Sequence, residues 1–289
     1  MAACLEVLSF TQEKRERQRF SYLFEPLKRH GGFINIHYGE GYIMIRLILI
    51  ALYVFSFLIL SVPVMLVEWI VGKINPAAKD KSCKAIVDWG FRCVVFIAGT
   101  KVIVRGRENI PTDTAVLYVG NHRSYFDIVL TLNHFPRVTG YVAKSEMLRY
   151  PLLNIWMKNI HCLFLDRSDI KKGMKTILEG IEDVKNGISL CIFPEGTRNK
   201  TPDTFLPFHE GSFKIAEKGG VPVIPMTIVN SAGVFEDHLP KIKRATVVID
   251  FGRPIVIGEL DRAERKNMGA HVGGIISEKY FALKKEYGL

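Results

Sequence analysis

Residues 47–67 run for 21 positions without a single charge. A helix of that length spans ~30 Å, the thickness of a bilayer core. Arg46 flanks one end, and Lys73, Lys79 and Lys81 follow the other. Pro63 lies inside the run, where proline kinks or breaks a helix. Two membrane arrangements stay open, a single span and a helical hairpin embedded in one leaflet. The amphipathic stretch 85–98 supplies a second arm for the hairpin. Cations on both sides give no orientation by the positive-inside rule, which favours the hairpin. A buried core helix is the bland alternative.

From Lys101 onward the pattern changes to short apolar runs separated by amphipathic ones. The runs 101–104, 115–119, 140–143, 162–165, 189–193, 221–228 and 246–251 read as strands. The stretches 125–133, 170–185, 211–217 and 260–285 read as helices. Strands alternating with helices predict an α/β fold, a mostly parallel central sheet with flanking helices. The apolar helix or helical hairpin precedes it. Pro222 and Pro225 fall in the run 221–228; proline lacks a ladder donor, so this strand is expected at an edge or with an irregular start. It reads as plain core, with a wall for an apolar chain as the alternative.

Composition narrows the class. Of 289 residues, 48% are hydrophobic and 24% charged, too apolar for a simple soluble domain and too charged for a polytopic membrane protein. The net charge of +10 suits an anionic partner. No motif of a nucleic-acid module accompanies it, and the apolar helix has no place in that reading. Cys4, Cys83, Cys93, Cys162 and Cys191 are scattered, without metal-ligand spacing. That points to a reducing compartment and away from structural zinc.

Residues 1–43 differ from the rest: a charged, helix-compatible stretch, then a glycine-rich one without period. They do not form a signal peptide. Met44-Ile45-Arg46 makes a natural start, and Gly39-Glu40-Gly41 is what a purine-rich ribosome-binding sequence encodes when read in frame. Translation is therefore expected to begin at Met44. N-terminal sequencing of protein from the native gene that finds earlier residues overturns this; the alternative is a basic arm on the membrane surface. The expected division is an N-terminal extension over 1–43, a membrane-associated helical segment over 44–100 and an α/β domain over 101–289.

Candidate chemistry sits where strand runs end. Asn121-His122-Arg123-Ser124-Tyr125-Phe126-Asp127 follows the run 115–119. His122 at the strand end and Asp127 in the first helical turn can meet. A carboxylate on one imidazole nitrogen fixes the tautomer and leaves the other nitrogen as a base toward a hydroxyl. Ser124-x-x-Asp127 is also a capping box, and His122 is equally readable as an ordinary hydrogen-bonded histidine. Phe193-Pro194-Glu195-Gly196-Thr197-Arg198 ends another run, and open parallel sheets bind ligands outside the carboxyl ends of their strands. Arg198 has the planar fork that matches phosphate, and Glu195 can accept from a substrate hydroxyl. Its plain reading is a turn with a surface ion pair. Arg167 ends the run 162–165 and Lys144 ends 140–143, each otherwise a solvated charge. Four strand ends thus carry His and Asp, Lys, Arg, or Glu and Arg.

Four segments in order carry a family likeness: Asn121-His122-x-x-x-x-Asp127, Phe164-Leu165-Asp166-Arg167, Phe193-Pro194-Glu195-Gly196-Thr197-Arg198 and Val221-Pro222-Val223-Ile224-Pro225. The sequence from about Met44 to the C-terminus resembles the glycerolipid acyltransferases, specifically the bacterial 1-acyl-sn-glycerol-3-phosphate acyltransferases. Leu165 stands where such chains often have isoleucine, and Arg123 follows the histidine.

The resemblance implies that 101–289 is an acyltransferase domain. It implies His122 as general base on the sn-2 hydroxyl of lysophosphatidate, with Asp127 orienting it. Arg167 and Arg198, and less directly Lys144, would hold the phosphate, with Glu195, Gly196 and Thr197 as the adjoining wall. The acyl donor would be a thioester, acyl-CoA or acyl-carrier protein, with no metal or bound cofactor. The partners implied are the donor, a membrane lipid acceptor and the bilayer, with no nucleic acid. The implied location is the cell membrane, catalytic domain on the cytoplasmic side. Two alternatives remain: the same chemistry on glycerol 3-phosphate or another lysophospholipid, and a non-catalytic lipid-binding membrane protein.

Overall fold

Residues 38–289 are described in this computed structural model, with side chains from Met44 onward. The expectation for 1–43 falls, but for the start of the first helix, outside the described residues. The apolar run lies in two helices, α1 (Tyr38–Leu60) and α2 (Val62–Ile74), bent by 48° at Ser61. The break precedes Pro63, which sits in the first turn of α2, where its missing N–H costs nothing. No single helix among the described residues is long and apolar enough to cross a membrane; the bent pair is, by length and composition.

Helix α3 (Pro76–Ala98) returns antiparallel. Arg46 donates to the Ala98 carbonyl (3.2 Å), Tyr53 meets Trp89 edge-on, and Ser82 donates to Glu68 (2.6 Å). Asn75 caps its start by accepting from the Ala78 amide, and Gly99 ends it in left-handed backbone (φ 69°). The expected amphipathic arm is therefore the second half of a 23-residue helix.

Seven strands form one sheet: β1 (Lys101–Arg105), β2 (Leu117–Gly120), β3 (Thr139–Lys144), β4 (Leu163–Leu165), β5 (Ser189–Ile192), β6 (Val223–Val229) and β7 (Thr246–Phe251). Their order is β1-β7-β6-β2-β5-β3-β4. β6, β2, β5, β3 and β4 run parallel; β7 reverses against β6 and pairs parallel with β1. The mostly parallel α/β expectation holds.

The expected place of the proline strand is corrected. β6 is internal, fully buried between β2 and β7. Pro225 fits because it lies just past the last β6–β7 pair, Met226 with Phe251, and its carbonyl still accepts from the Gly252 amide (2.8 Å). The missing donor thus falls where the ladder has ended.

The helices are α4 (Phe126–Thr131), α5 (Leu153–Asn159), α6 (Ile170–Lys185), α7 (Lys214–Gly219), α8 (Arg262–Lys266) and α9 (Met268–Tyr287). Three expected helices are shorter or divided. α4 tightens into a 3-10 turn at Leu132–His134, α7 follows one at Glu210–Phe213, and 260–285 breaks at Asn267. α5 is too short to show a period. One face of the sheet packs on α1, α3, α4 and α5, the other on α6, α7 and α9.

Candidate active site

β2, β5, β3 and β4 are adjacent and parallel, so their carboxyl ends share one rim. The four sequence segments that end on these strands are brought together there. β2 is wholly buried, and a Cβ on Gly120 would stand 2.9 Å from Met226 Cε and 3.1 Å from Phe193. Asn121 then extends the ladder with its side chain. Its Nδ2 donates to the Ile228 carbonyl and its Oδ1 accepts the Ile228 amide, both at 2.8 Å.

His122 follows in fixed backbone. Its N–H donates to Glu195 Oε1 (2.7 Å), and its carbonyl accepts from the Asn199 amide (2.7 Å). Its ring stacks on Phe193, centroids 4.3 Å apart. Nδ1 lies 2.8 Å from Asp127 Oδ2, and the Asp127 carboxylate is fully buried. The same oxygen accepts from the amides of Arg123 and Ser124, each at 2.8 Å. A carboxylate so occupied holds Nδ1 as the protonated nitrogen, leaving Nε2 as the basic one. The capping box forms only in part: Asp127 takes the Ser124 amide, but Ser124 Oγ accepts from Phe126 N (2.9 Å) rather than from the Asp127 amide, and the helix starts one residue later, after Tyr125. The carboxylate that meets His122 is the one that ties down the turn before the helix.

Glu195 reaches the site in another capacity than the expected wall. It is 4% exposed. Its two oxygens accept from the amides of His122 and Leu206 (2.7 and 3.1 Å), and it does not line the cavity. Burial raises its pKa, opposed by those two amides. It ties the loop after β5 to the loop after β2.

Gly196 adopts left-handed backbone (φ 73°), which favours glycine; a Cβ there would stand 3.0 Å from Arg167 Nη1, the movable end of that side chain. Arg167, Lys144, Thr197 and Arg198 stand with His122 at the mouth of a cavity of about 200 Å³. Arg167 makes no hydrogen bond or ion pair among the described residues; partial burial lowers its pKa, and nearby Glu146 opposes the shift. Arg198 is held differently. It lies over the Tyr125 ring, donates to Tyr125 Oη (2.6 Å) and pairs with Glu236 Oε1 (3.3 Å).

Glu236 is the site residue that the sequence does not betray. It stands in the irregular crossing from β6 to β7, bearing no motif. Its carboxylate accepts from Ser124 Oγ (2.6 Å) and the Tyr125 amide (2.7 Å) besides Arg198. Burial raises its pKa, opposed first by the Ser124 hydroxyl.

Behind the mouth the cavity is apolar. Tyr53 and Phe57 of α1, Val87 and Phe91 of α3, Tyr141 of β3 and Trp156 of α5 are among its walls. Such a shape takes an amphipath, polar end at the rim and hydrocarbon inside.

Comparison with known proteins bears on what this site does. Residues 101–229 match the family described as Acyltransferase. The 1-acyl-sn-glycerol-3-phosphate acyltransferase of Borreliella burgdorferi is 31% identical over 190 residues, which cover 66% of this chain and 76% of that protein. The chain belongs to the 1-acyl-sn-glycerol-3-phosphate acyltransferase family. The family member of Salmonella typhimurium is 27% identical over 81% of this chain and 96% of its own length. The crystal structure of the 1-acyl-sn-glycerophosphate acyltransferase of Thermotoga maritima superposes with a TM-score of 0.70 at 24% identity, covering 83% of this chain and 97% of that one, and shows a shared fold. As an acyltransferase of this family, the chain acts in phospholipid biosynthesis. Its family match ends within the residues of β6, so Glu236 lies beyond it.

Proposed function

We propose that the protein transfers a fatty acyl group from a thioester donor to the sn-2 hydroxyl of lysophosphatidate, giving phosphatidate. The observation that carries this reading is the His122–Asp127 pair at the cationic mouth of an apolar cavity. His122 Nε2 takes the hydroxyl proton as the oxygen attacks the thioester carbonyl. The tetrahedral intermediate collapses, the C–S bond breaks, and the imidazolium returns the proton to the departing thiolate. Asp127 holds the ring and stabilises its charged form. The thioester is already activated, so no acyl-enzyme is needed. Arg167, Arg198 and Lys144 hold the acceptor's phosphate, whose charge approaches −2. The peptide of Gly196 and Thr197 forms the adjoining wall, and Glu195 positions it. The donor is acyl-CoA or acyl-carrier protein.

The helical arm holds this site at the bilayer. Phe55 (65% exposed), Leu60 (75%) and Trp69 (61%) stand out from α1 and α2. That surface is too apolar for water and fits a membrane. Attachment on the cytoplasmic side lets the lysolipid enter without leaving the bilayer, which would cost ~0.8 kcal/mol per methylene. The decisive test is an assay of purified protein with acyl-CoA and acyl-carrier-protein donors against a panel of lysolipids and glycerol 3-phosphate. Lysophosphatidate should be the preferred acceptor. Preference for an acceptor without a phosphomonoester overturns the reading.

A further inference from the structure

A second group of cations lies outside the catalytic cavity, where the helical arm meets the sheet. Arg46 Nη1 donates to the Ala98 carbonyl at the end of α3 (3.2 Å). A Cβ built on the next residue, Gly99, would stand 3.0 Å from Arg244 Cγ, 3.2 Å from Arg244 Nε and 3.5 Å from Arg46 Cζ. Two guanidinium-bearing side chains, 198 positions apart in sequence, therefore close on one glycine. Lys101 follows in β1, its amide bonded to the Ala245 carbonyl, and Lys243 precedes Arg244. Lys101, Lys243 and Arg244 are exposed. Among the described residues, none of these four cations has a carboxylate partner. Like charges gathered without an acid repel, and an anion relieves them.

The surroundings indicate which anion. Arg46 sits among exposed apolar residues of α1, Ile45 and Leu49, and Phe96, two residues before Ala98, is 84% exposed. Cations at the end of an exposed apolar helical surface match the headgroup and tails of a lipid. None of Arg46, Gly99 and Arg244 lines the catalytic cavity. We infer that Arg46 and Arg244 form a binding site for the phosphate of an anionic phospholipid, whose acyl chains lie along Ile45, Leu49 and Phe96. The site rests on the membrane attachment proposed above. It fixes the arm to the sheet from outside, by filling the gap between two like charges.

The test uses the full chain in detergent mixed micelles, titrated with phosphatidylglycerol or phosphatidylcholine, with retained lipid counted by native mass spectrometry. Phosphatidylglycerol should be retained at least tenfold more tightly. Arg244→Gln should lose roughly fivefold of that preference, the weight of one arginine near an anionic lipid. Arg46→Gln with Arg244→Gln should abolish it. Lys218→Gln, an exposed cation elsewhere, should change nothing. Equal loss in Lys218→Gln would assign the effect to diffuse charge and overturn the site. Loss in Arg198→Ala would place the lipid in the catalytic cavity. Displacement of the lipid by free CoA or inorganic phosphate would give the cations to a soluble phosphate instead. Acyl transfer by Arg244→Gln on detergent-dispersed acceptor should equal wild type. A wild type inactive in that assay counts against the proposed function and leaves the lipid result standing.

Discussion

Leu190 in β5 and Phe55 in α1 are both large apolar side chains in regular secondary structure, yet the first is fully buried and the second 65% exposed. The contrast runs through the two regions. In the sheet, apolar positions close on one another, and buried polar residues such as Asn121, Ser124 and Asp127 are anchored by hydrogen bonds. In the arm, one side of α1 and α3 closes the cavity and the other presents hydrocarbon outward. The sheet is stabilised by what it removes from solvent; the arm leaves hydrocarbon exposed, which on the proposed function the bilayer covers. The proposed function requires both, since its reactive groups come from the first and part of the apolar cavity wall from the second.

The largest effect that separates the regions is chemical. His122→Ala should lower kcat by ~10²–10⁴, the usual range for a general base. Melting temperature and membrane retention should stay as in wild type; near-normal turnover would remove the mechanism. Next comes packing. Leu190→Ala should cost ~2–5 kcal/mol in denaturant unfolding. Phe55→Ala in detergent should stay within ~0.5 kcal/mol, as surface positions do. Equal costs would mean that Phe55 is packed and the contrast false. Arg198→Ala should raise the KM for the acceptor roughly tenfold or more and leave that for the donor unchanged. A rise for both substrates would point to collapse of the rim rather than loss of a phosphate contact. The smallest change expected is that of Glu236→Gln. Its amide oxygen still accepts the Tyr125 N–H while Arg198 loses a charged partner, so acceptor KM should rise a few-fold with kcat held. A fall in kcat at unchanged KM would assign Glu236 to the dyad rather than to Arg198.

How far the sequence carries is uneven, and the reason is contact order. Each of His122, Lys144, Arg167 and Arg198 follows an apolar run, and a parallel sheet gathers such ends by itself. The rim was therefore legible, as was the order of the strands and of the helices apart from α5 and the break at Asn267. Glu236 was not, because an irregular loop has no period and its three partners lie at Ser124, Tyr125 and Arg198. The cavity was equally hidden, since its walls come from residues 53–94 and 122–198, joined only by tertiary packing. Glu195 was legible as a site residue but not in its role: two backbone amides from separate loops claim its oxygens. Pro225 misled because its missing donor counts only where a neighbour still needs it.

Ser61, at the bend between α1 and α2, donates to the Leu58 carbonyl (3.1 Å) and accepts from the Trp156 indole (2.9 Å). Trp156 belongs to the sheet domain and lines the cavity. Straightened, residues 44–74 would make a rod about 46 Å long, ample to cross ~30 Å of hydrocarbon. Bent by 48°, the same residues turn the end of α2 off that line without reversing it. The angle at which α2 leaves α1 is thus tied to a single indole from outside the arm, and the direction of the arm becomes a property of the tertiary structure.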